Sequence, residues 1–279
     1  MKTLFISLLL MSGAIAATAQ DESPSLNKQW ATDTNTVKVP ESVLFDAKRN
    51  VLFVSCIGIG SPDAKDANGY IAQLSPDGKT INAKWVTGLN SPKGLGRYKN
   101  KLYVADQTEL VEIDIAKAAI VKHYPIDSSR FLNDITIDAK GIVYVSDSHT
   151  KKIHQLKDGK ITTIIEGLKG PNGLLATPDA FYILDAGDVC TWEKDGSVKR
   201  ILNIAKGTDG IEKVKGQEFI VSCWGGEVYY VDLAKQTAKK LLDTKAEKSN
   251  TADIGYDPQK KIVFIPTFYA SSVVAYQLK

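Results

Sequence analysis

Six times between Pro40 and the C-terminus the sequence returns to one pattern: a polar residue, an alternating apolar run, a turn, and a second apolar run. The copies open at PESVLFD from Pro40, PKGLGRY from Pro92, LNDITID from Leu132, PNGLLAT from Pro171, TDGIEKV from Thr208 and TADIGYD from Thr251. Alternation of this kind marks a strand with one buried face. Each unit then continues with two more strand-like runs, such as KIHQL and KITTII around the hairpin turn Asp158-Gly159, or VCTWEK and SVKRIL around Asp195-Gly196. Four short strands in a repeat of roughly 40 residues make one blade of a propeller. The first interval is longer because GIGSPDAKDANG is inserted between the second and third strands of its unit. Beyond the N-terminal stretch no segment has helical periodicity.

The sixth unit offers only three strands before the chain ends. Its fourth is supplied from the other end: Asn27 to Thr32, NKQWAT, resembles AKWVT at Ala83 to Thr87, the last strand of the first unit. An N-terminal strand in the last blade ties the ring shut and removes an exposed sheet edge. The expected fold is therefore all-β, a single six-bladed β-propeller over residues 20–279. A β-sandwich would not explain six aligned copies.

Residues 1–19 read as a signal peptide. Lys2 gives the positive start, Leu4 to Met11 the apolar core, and Ala17-Thr18-Ala19 the cleavage site before Gln20. That core is too short to span a bilayer, and no cysteine follows the site to carry a lipid. The expectation is export, to a periplasm or beyond, with no membrane span. Cys56, Cys190 and Cys223 are odd in number, so at least one lacks an intrachain partner. They are expected as small buried apolar residues, with a Cys190–Cys223 bridge left open.

Of the 279 residues, 43% are hydrophobic and 24% charged, as in ordinary globular chains rather than disordered ones. A net charge of +3 without a Lys/Arg run gives no support for a nucleic-acid partner. No P-loop, GxGxxG or GxSxG element is present, which leaves nucleotide binding and serine-hydrolase chemistry without a motif. A monomer is favoured.

In a propeller the residue just before each innermost apolar run stands at one mouth of the central channel. Here those residues are Glu41, Lys93, Asn133, Asn172, Asp209 and Ala252. Four are oxygen donors, and the positions after them add Ser42, Asp134 and Asp253. Crowded carboxylates repel one another unless a cation sits among them. An oxygen-only set without His or Cys favours a hard ion, one calcium above magnesium. Any one of these residues alone is more simply a turn former; the shared register of four turns the balance toward a metal site of Glu41, Asn133, Asn172 and Asp209. Lys93 either neutralises neighbouring carboxylates, meets a substrate carboxylate or oxyanion, or weakens the metal by repulsion. His149, in a loop expected on the same face, is a candidate substrate contact, as are Trp224 and Tyr269. Asp106, Asp147 and Asp185, at the ends of second strands, read as turn formers. The insertion from Ile57 to Asn68 is the candidate lid or specificity loop.

These residues resemble the senescence-marker-protein/gluconolactonase/luciferin-regenerating family, and more distantly the paraoxonases. The resemblance is carried by Glu41 in PESVLFD, the pair Asn133-Asp134, Asn172 in PNGLLATPD, and Asp209 in TDG followed by SCWGGEV. It implies a propeller with one divalent metal, often calcium, and a metal-dependent hydrolase of lactones or related small esters. Asp209 would be the general base, Lys93 a second catalytic candidate, and Asp134 and Asp253 would support the ligands. The family's substrate-orienting arginine has no counterpart, and Lys93 stands in the ring. The alternative is therefore a non-catalytic propeller that binds a small ligand or a protein on its metal face.

Overall fold

The computed structural model describes residues 23–62, 64–127 and 129–279; the segment read as a signal peptide lies outside them. The described residues form six four-stranded antiparallel sheets. Strand β1 (Leu26–Ala31) comes first in the chain but belongs to the last blade. The first blade is β2 (Pro40–Asp46), β3 (Val51–Cys56), β4 (Gly69–Leu74) and β5 (Thr80–Leu89). The second is β6 (Pro92–Tyr98), β7 (Lys101–Asp106), β8 (Glu109–Asp114) and β9 (Ala119–Pro125). The third is β10 (Leu132–Ile137), β11 (Val143–Asp147), β12 (Lys152–Lys157) and β13 (Lys160–Ile165). The fourth is β14 (Pro171–Ala176), β15 (Phe181–Asp185), β16 (Asp188–Trp192) and β17 (Val198–Asn203). The fifth is β18 (Thr208–Lys215), β19 (Glu218–Cys223), β20 (Glu227–Asp232) and β21 (Thr237–Asp243). The sixth is β22 (Gly255–Asp257), β23 (Ile262–Pro266) and β24 (Val273–Leu278), completed by β1.

The ring closes as the sequence predicts. Leu26, Asn27 and Lys28 pair with Leu278, Gln277 and Tyr276, and a bulge before Trp30 keeps the strand in register to Val274. Trp30 packs toward Phe264 and donates its indole N–H to the Pro76 carbonyl at 3.1 Å, which ties the clasp to the first blade.

Burial follows strand position. The inner three strands of a blade carry long buried stretches, whereas the outermost, such as β13 with KITTII, alternate toward solvent. Six apolar clusters each join one blade to the next. Phe53 meets Val104, Tyr103 meets Val145, and Tyr144 meets Ile183. Tyr182 then meets Phe219, Ile220 meets Val263, and Phe264 meets Val54 to complete the circle. No blade buries its faces alone, so the hydrophobic term acts on the ring as a whole. Hairpins close where the chain supplies the residues for them: Asp158 and Gly159 both have positive φ, the type I′ geometry that matches strand twist. The three cysteines are free and buried, so the open Cys190–Cys223 bridge is not formed. Among the described residues no helix is long and apolar enough to cross a membrane.

Candidate functional site

The innermost strands β2, β6, β10, β14 and β18 begin at Pro40, Pro92, Leu132, Pro171 and Thr208, so their second residues face one mouth of the channel. Three of these openings are held by a carboxylate from the strand beside them. Asp106 accepts the backbone N–H groups of Asn90 and Ser91. Asp147 accepts those of Arg130 and Phe131, and Asp185 those of Lys169 and Gly170. The aspartates read as turn formers thus fix the segments that present Lys93, Asn133 and Asn172.

A cavity of about 430 Å³ lies at this mouth. Glu41, Lys93, Asn133, Asn172 and Asp209 line it together, with Pro62, Phe131, Gly207, Trp224, Phe268 and Tyr269. Asn172 donates Nδ2–H to Asp209 Oδ1 at 2.9 Å, and Asn133 donates to Ser148 Oγ at 3.2 Å. Glu41 Oε2 and Asn172 Oδ1 are buried acceptors with no hydrogen-bond partner. Burial, and then repulsion from Asp209 and Asp253, raises the Glu41 carboxyl well above its ordinary range, against a smaller opposing effect of Lys93. Asp209 is raised for the same first reason and by Asp253, and the Asn172 hydrogen bond opposes the rise. Among the described residues no three of His, Cys, Asp and Glu cluster as a metal site; this set mixes two carboxylates with two amides.

Lys93 is buried, donates to Ser91 Oγ at 3.0 Å, and lies 4.4 Å from the Phe131 ring centroid. His149 is exposed and stacks on the same ring at 4.5 Å and 20°. The Phe131 ring is thus in contact with both Lys93 and His149. His149 is not among the residues that line the cavity, whereas Phe131, on which it stacks, is. Trp224 and Tyr269 do line it. The insertion is docked onto the second blade: Gln107 Nε2 donates to the Pro62 and Ala64 carbonyls, and Lys65 to Thr108 Oγ1. Its Pro62 lines the cavity.

One residue deeper, the six inner strands carry Ser42, Gly94, Asp134, Gly173, Gly210 and Asp253. A Cβ on Gly94 would stand 2.5 Å from Asp134 Cα, and one on Gly173 2.2 Å from the Asp209 carbonyl oxygen. On Gly210 it would stand 2.5 Å from Asp253 Oδ1. Three missing side chains thus let the strands close around three polar ones. Ser42 donates to Asp253 Oδ2, and the Asp253 charge acts on the Asp134 carboxyl. Asp134 accepts the Leu174 N–H at 2.6 Å. Burial pushes Asp253 up to about 6 despite the Ser42 bond, and raises Asp134 well above its usual value.

Below this layer the channel opens into a void of about 160 Å³ that Arg97, Thr136 and Glu212 help to line. Enclosure first, and Asp253 second, pushes the Glu212 carboxyl from 4.5 up to about 8. Unfolding restores the lower value, so the native state is penalised as pH rises from about 4.5 to about 8, and the penalty levels off above that. Glu212 is half-buried, and the solvent exposure it keeps moderates the effect. Glu212→Gln is expected to raise Tm at about pH 9 and to leave it unchanged at about pH 4. An equal change at both pH values in thermal unfolding would contradict this assignment.

Neither a family model nor a curated protein matches the chain in sequence. Similarity to solved structures is extensive. A catalytically inactive variant of virginiamycin B lyase from Staphylococcus aureus, crystallised with quinupristin, aligns with a TM-score of 0.64 at 13% identity, over 92% of this chain and 100% of that one. The selenomethionine-substituted form of the same enzyme gives 0.64 at 14% identity, over the same shares of both chains. A nidogen/laminin complex gives 0.58 at 17% identity, over 72% of this chain and 79% of that one. At these identities the likeness is one of fold, and the fold is the six-bladed β-propeller described above.

Proposed function

We propose that the chain is an exported, metal-dependent hydrolase of a lactone or related small ester, with one calcium ion held by Glu41, Asn133, Asn172 and Asp209. The observation that carries the reading is the pair of buried, unpartnered acceptors, Glu41 Oε2 and Asn172 Oδ1, in one cavity with a second carboxylate whose charge burial opposes. An unmatched buried acceptor costs about 1–3 kcal/mol, and a hard cation satisfies several at once. The residues present therefore fit the ion. Export rests on residues 1–19 alone.

When bound, a divalent ion supplies a Lewis acid that polarises the ester carbonyl. The chain supplies the rest. Asp209, oriented by the Asn172 amide, takes a proton from water as the oxygen of that water bonds to the carbonyl carbon. The ester C–O bond then breaks, and Asp209 returns the proton to the departing alkoxide, leaving an alcohol and a carboxylic acid, which loses its own proton to solvent. Lys93 places a buried ammonium at the same cavity, where it stabilises the developing oxyanion. The test is hydrolysis of a lactone panel by the wild type and by Asp209→Ala. Undiminished turnover in the variant ends the proposal.

A further inference from the structure

The two sides of the cavity differ. On the side of the fifth and sixth blades, Trp224, Phe268 and Tyr269 form one aromatic surface, with ring centroids 4.7 to 6.1 Å apart and planes near perpendicular. Such edge-to-face contacts hold rings in fixed relative positions. Trp224 and Tyr269 are 40% and 60% exposed, unusual for side chains of this size.

The backbone beneath them is set. The Trp224 N–H donates to the Gly207 carbonyl at 2.8 Å, and its own carbonyl accepts from Asn250 Nδ2 at 2.9 Å. Phe268 adopts φ +47° and Ser271 φ +51°, a left-handed conformation that is costly for a bulky residue. Hydrogen bonds between Thr267 and Ser272 brace that turn from both sides. Strain retained beside a cavity, with exposed rings presented by it, describes a wall built before any ligand arrives.

The charged and amide groups of the lining are the four candidate ligands and Lys93, and of these only Asp209 stands on the fifth blade with Trp224. Apart from the Tyr269 hydroxyl and the Trp224 indole N–H, the remaining lining side chains are apolar. A polyhydroxylated ring sealed against that wall would lose water from hydroxyl groups and regain few hydrogen bonds. An alkyl or aryl group would gain contact with the rings.

Taking the hydrolase reading as its basis, we infer that the substrate is a lactone or ester carrying an alkyl or aryl substituent, which lies against Trp224, Phe268 and Tyr269. Sugar lactones are discriminated against.

Two probes that cannot be hydrolysed test this: an alkyl-substituted cyclic ketone and a polyhydroxylated lactam, titrated calorimetrically into the calcium-loaded protein. The ketone is expected to bind at least about tenfold more tightly. Trp224→Ala and Tyr269→Ser are each expected to remove most of that preference. Tyr269 is exposed, so its variant keeps the test available should Trp224→Ala fail to fold. Equal or tighter binding of the lactam, or a preference that both folded variants retain, would overturn the inference. The two readings fail separately. Preferential ketone binding by a protein that hydrolyses no lactone removes the hydrolase and keeps apolar recognition. Hydrolysis that favours a sugar lactone removes apolar recognition and keeps the hydrolase.

Discussion

Replacing Asp209 by alanine is expected to lower kcat/KM for a lactone by about 10³-fold, the usual range for loss of a general base, while the protein stays folded. The side chain is 2% exposed, accepts one hydrogen bond from Asn172, and lines the cavity with Glu41. It occupies two roles, proton acceptor and oxygen donor, so alanine alone does not separate them. Asp209→Asn does. The amide keeps an oxygen for the cation and cannot take the proton. Turnover is therefore expected to collapse in the asparagine variant even at calcium concentrations high enough to fill its weakened site. Stability should not fall in either variant without metal, because the wild-type carboxyl is held there against desolvation and the Asp253 charge. Kinetics and thermal unfolding on the same samples check both statements.

Gly173→Ala is expected to destabilise the protein by roughly 1–3 kcal/mol, on the order of 5 °C in Tm for a domain of this size. The added Cβ would stand 2.2 Å from the Asp209 carbonyl oxygen and 2.8 Å from Leu184 Cδ1. The first contact is with backbone, which has no rotamer by which to move away. The strand carrying Asp209 must shift, so calcium binding and hydrolysis should weaken along with stability. Gly170→Ala, three residues earlier, is the control. Its Cβ would meet nothing nearer than Ala186 Cβ at 3.9 Å, an ordinary contact. Equal unfolding temperatures for the two variants would show that close strand approach does not shape the channel.

Much of this architecture was legible because repetition reports register. Six aligned openings placed Glu41, Asn133, Asn172 and Asp209 on one ring without knowledge of any contact, and the three-stranded last unit pointed to the clasp at Asn27–Thr32. What repetition could not report is what comes between rings. Phe131 lies two residues before Asn133 and carries no motif, yet it lines the cavity and carries the stacked His149 ring. That His149 meets Phe131 and is not among the lining residues depends on side-chain packing, which the spacing of the repeats does not encode. The three glycines set among Ser42, Asp134 and Asp253 in the deeper layer were visible as letters. Their meaning depends on distances between inner strands, which no spacing encodes. Glu212 went unmarked for a similar reason: three residues past Asp209 on β18, it borders the void below the acidic layer.

Most directly decisive is calorimetric titration of calcium into the chelator-treated protein, alongside Glu41→Gln and Asp209→Asn. One ion should bind per chain of wild type, each substitution should weaken it by more than about tenfold, and calcium should raise the unfolding temperature of the wild type by mass action. No heat of binding, or an affinity indifferent to both substitutions, would mean that the converging oxygens at the channel mouth are not a cation site.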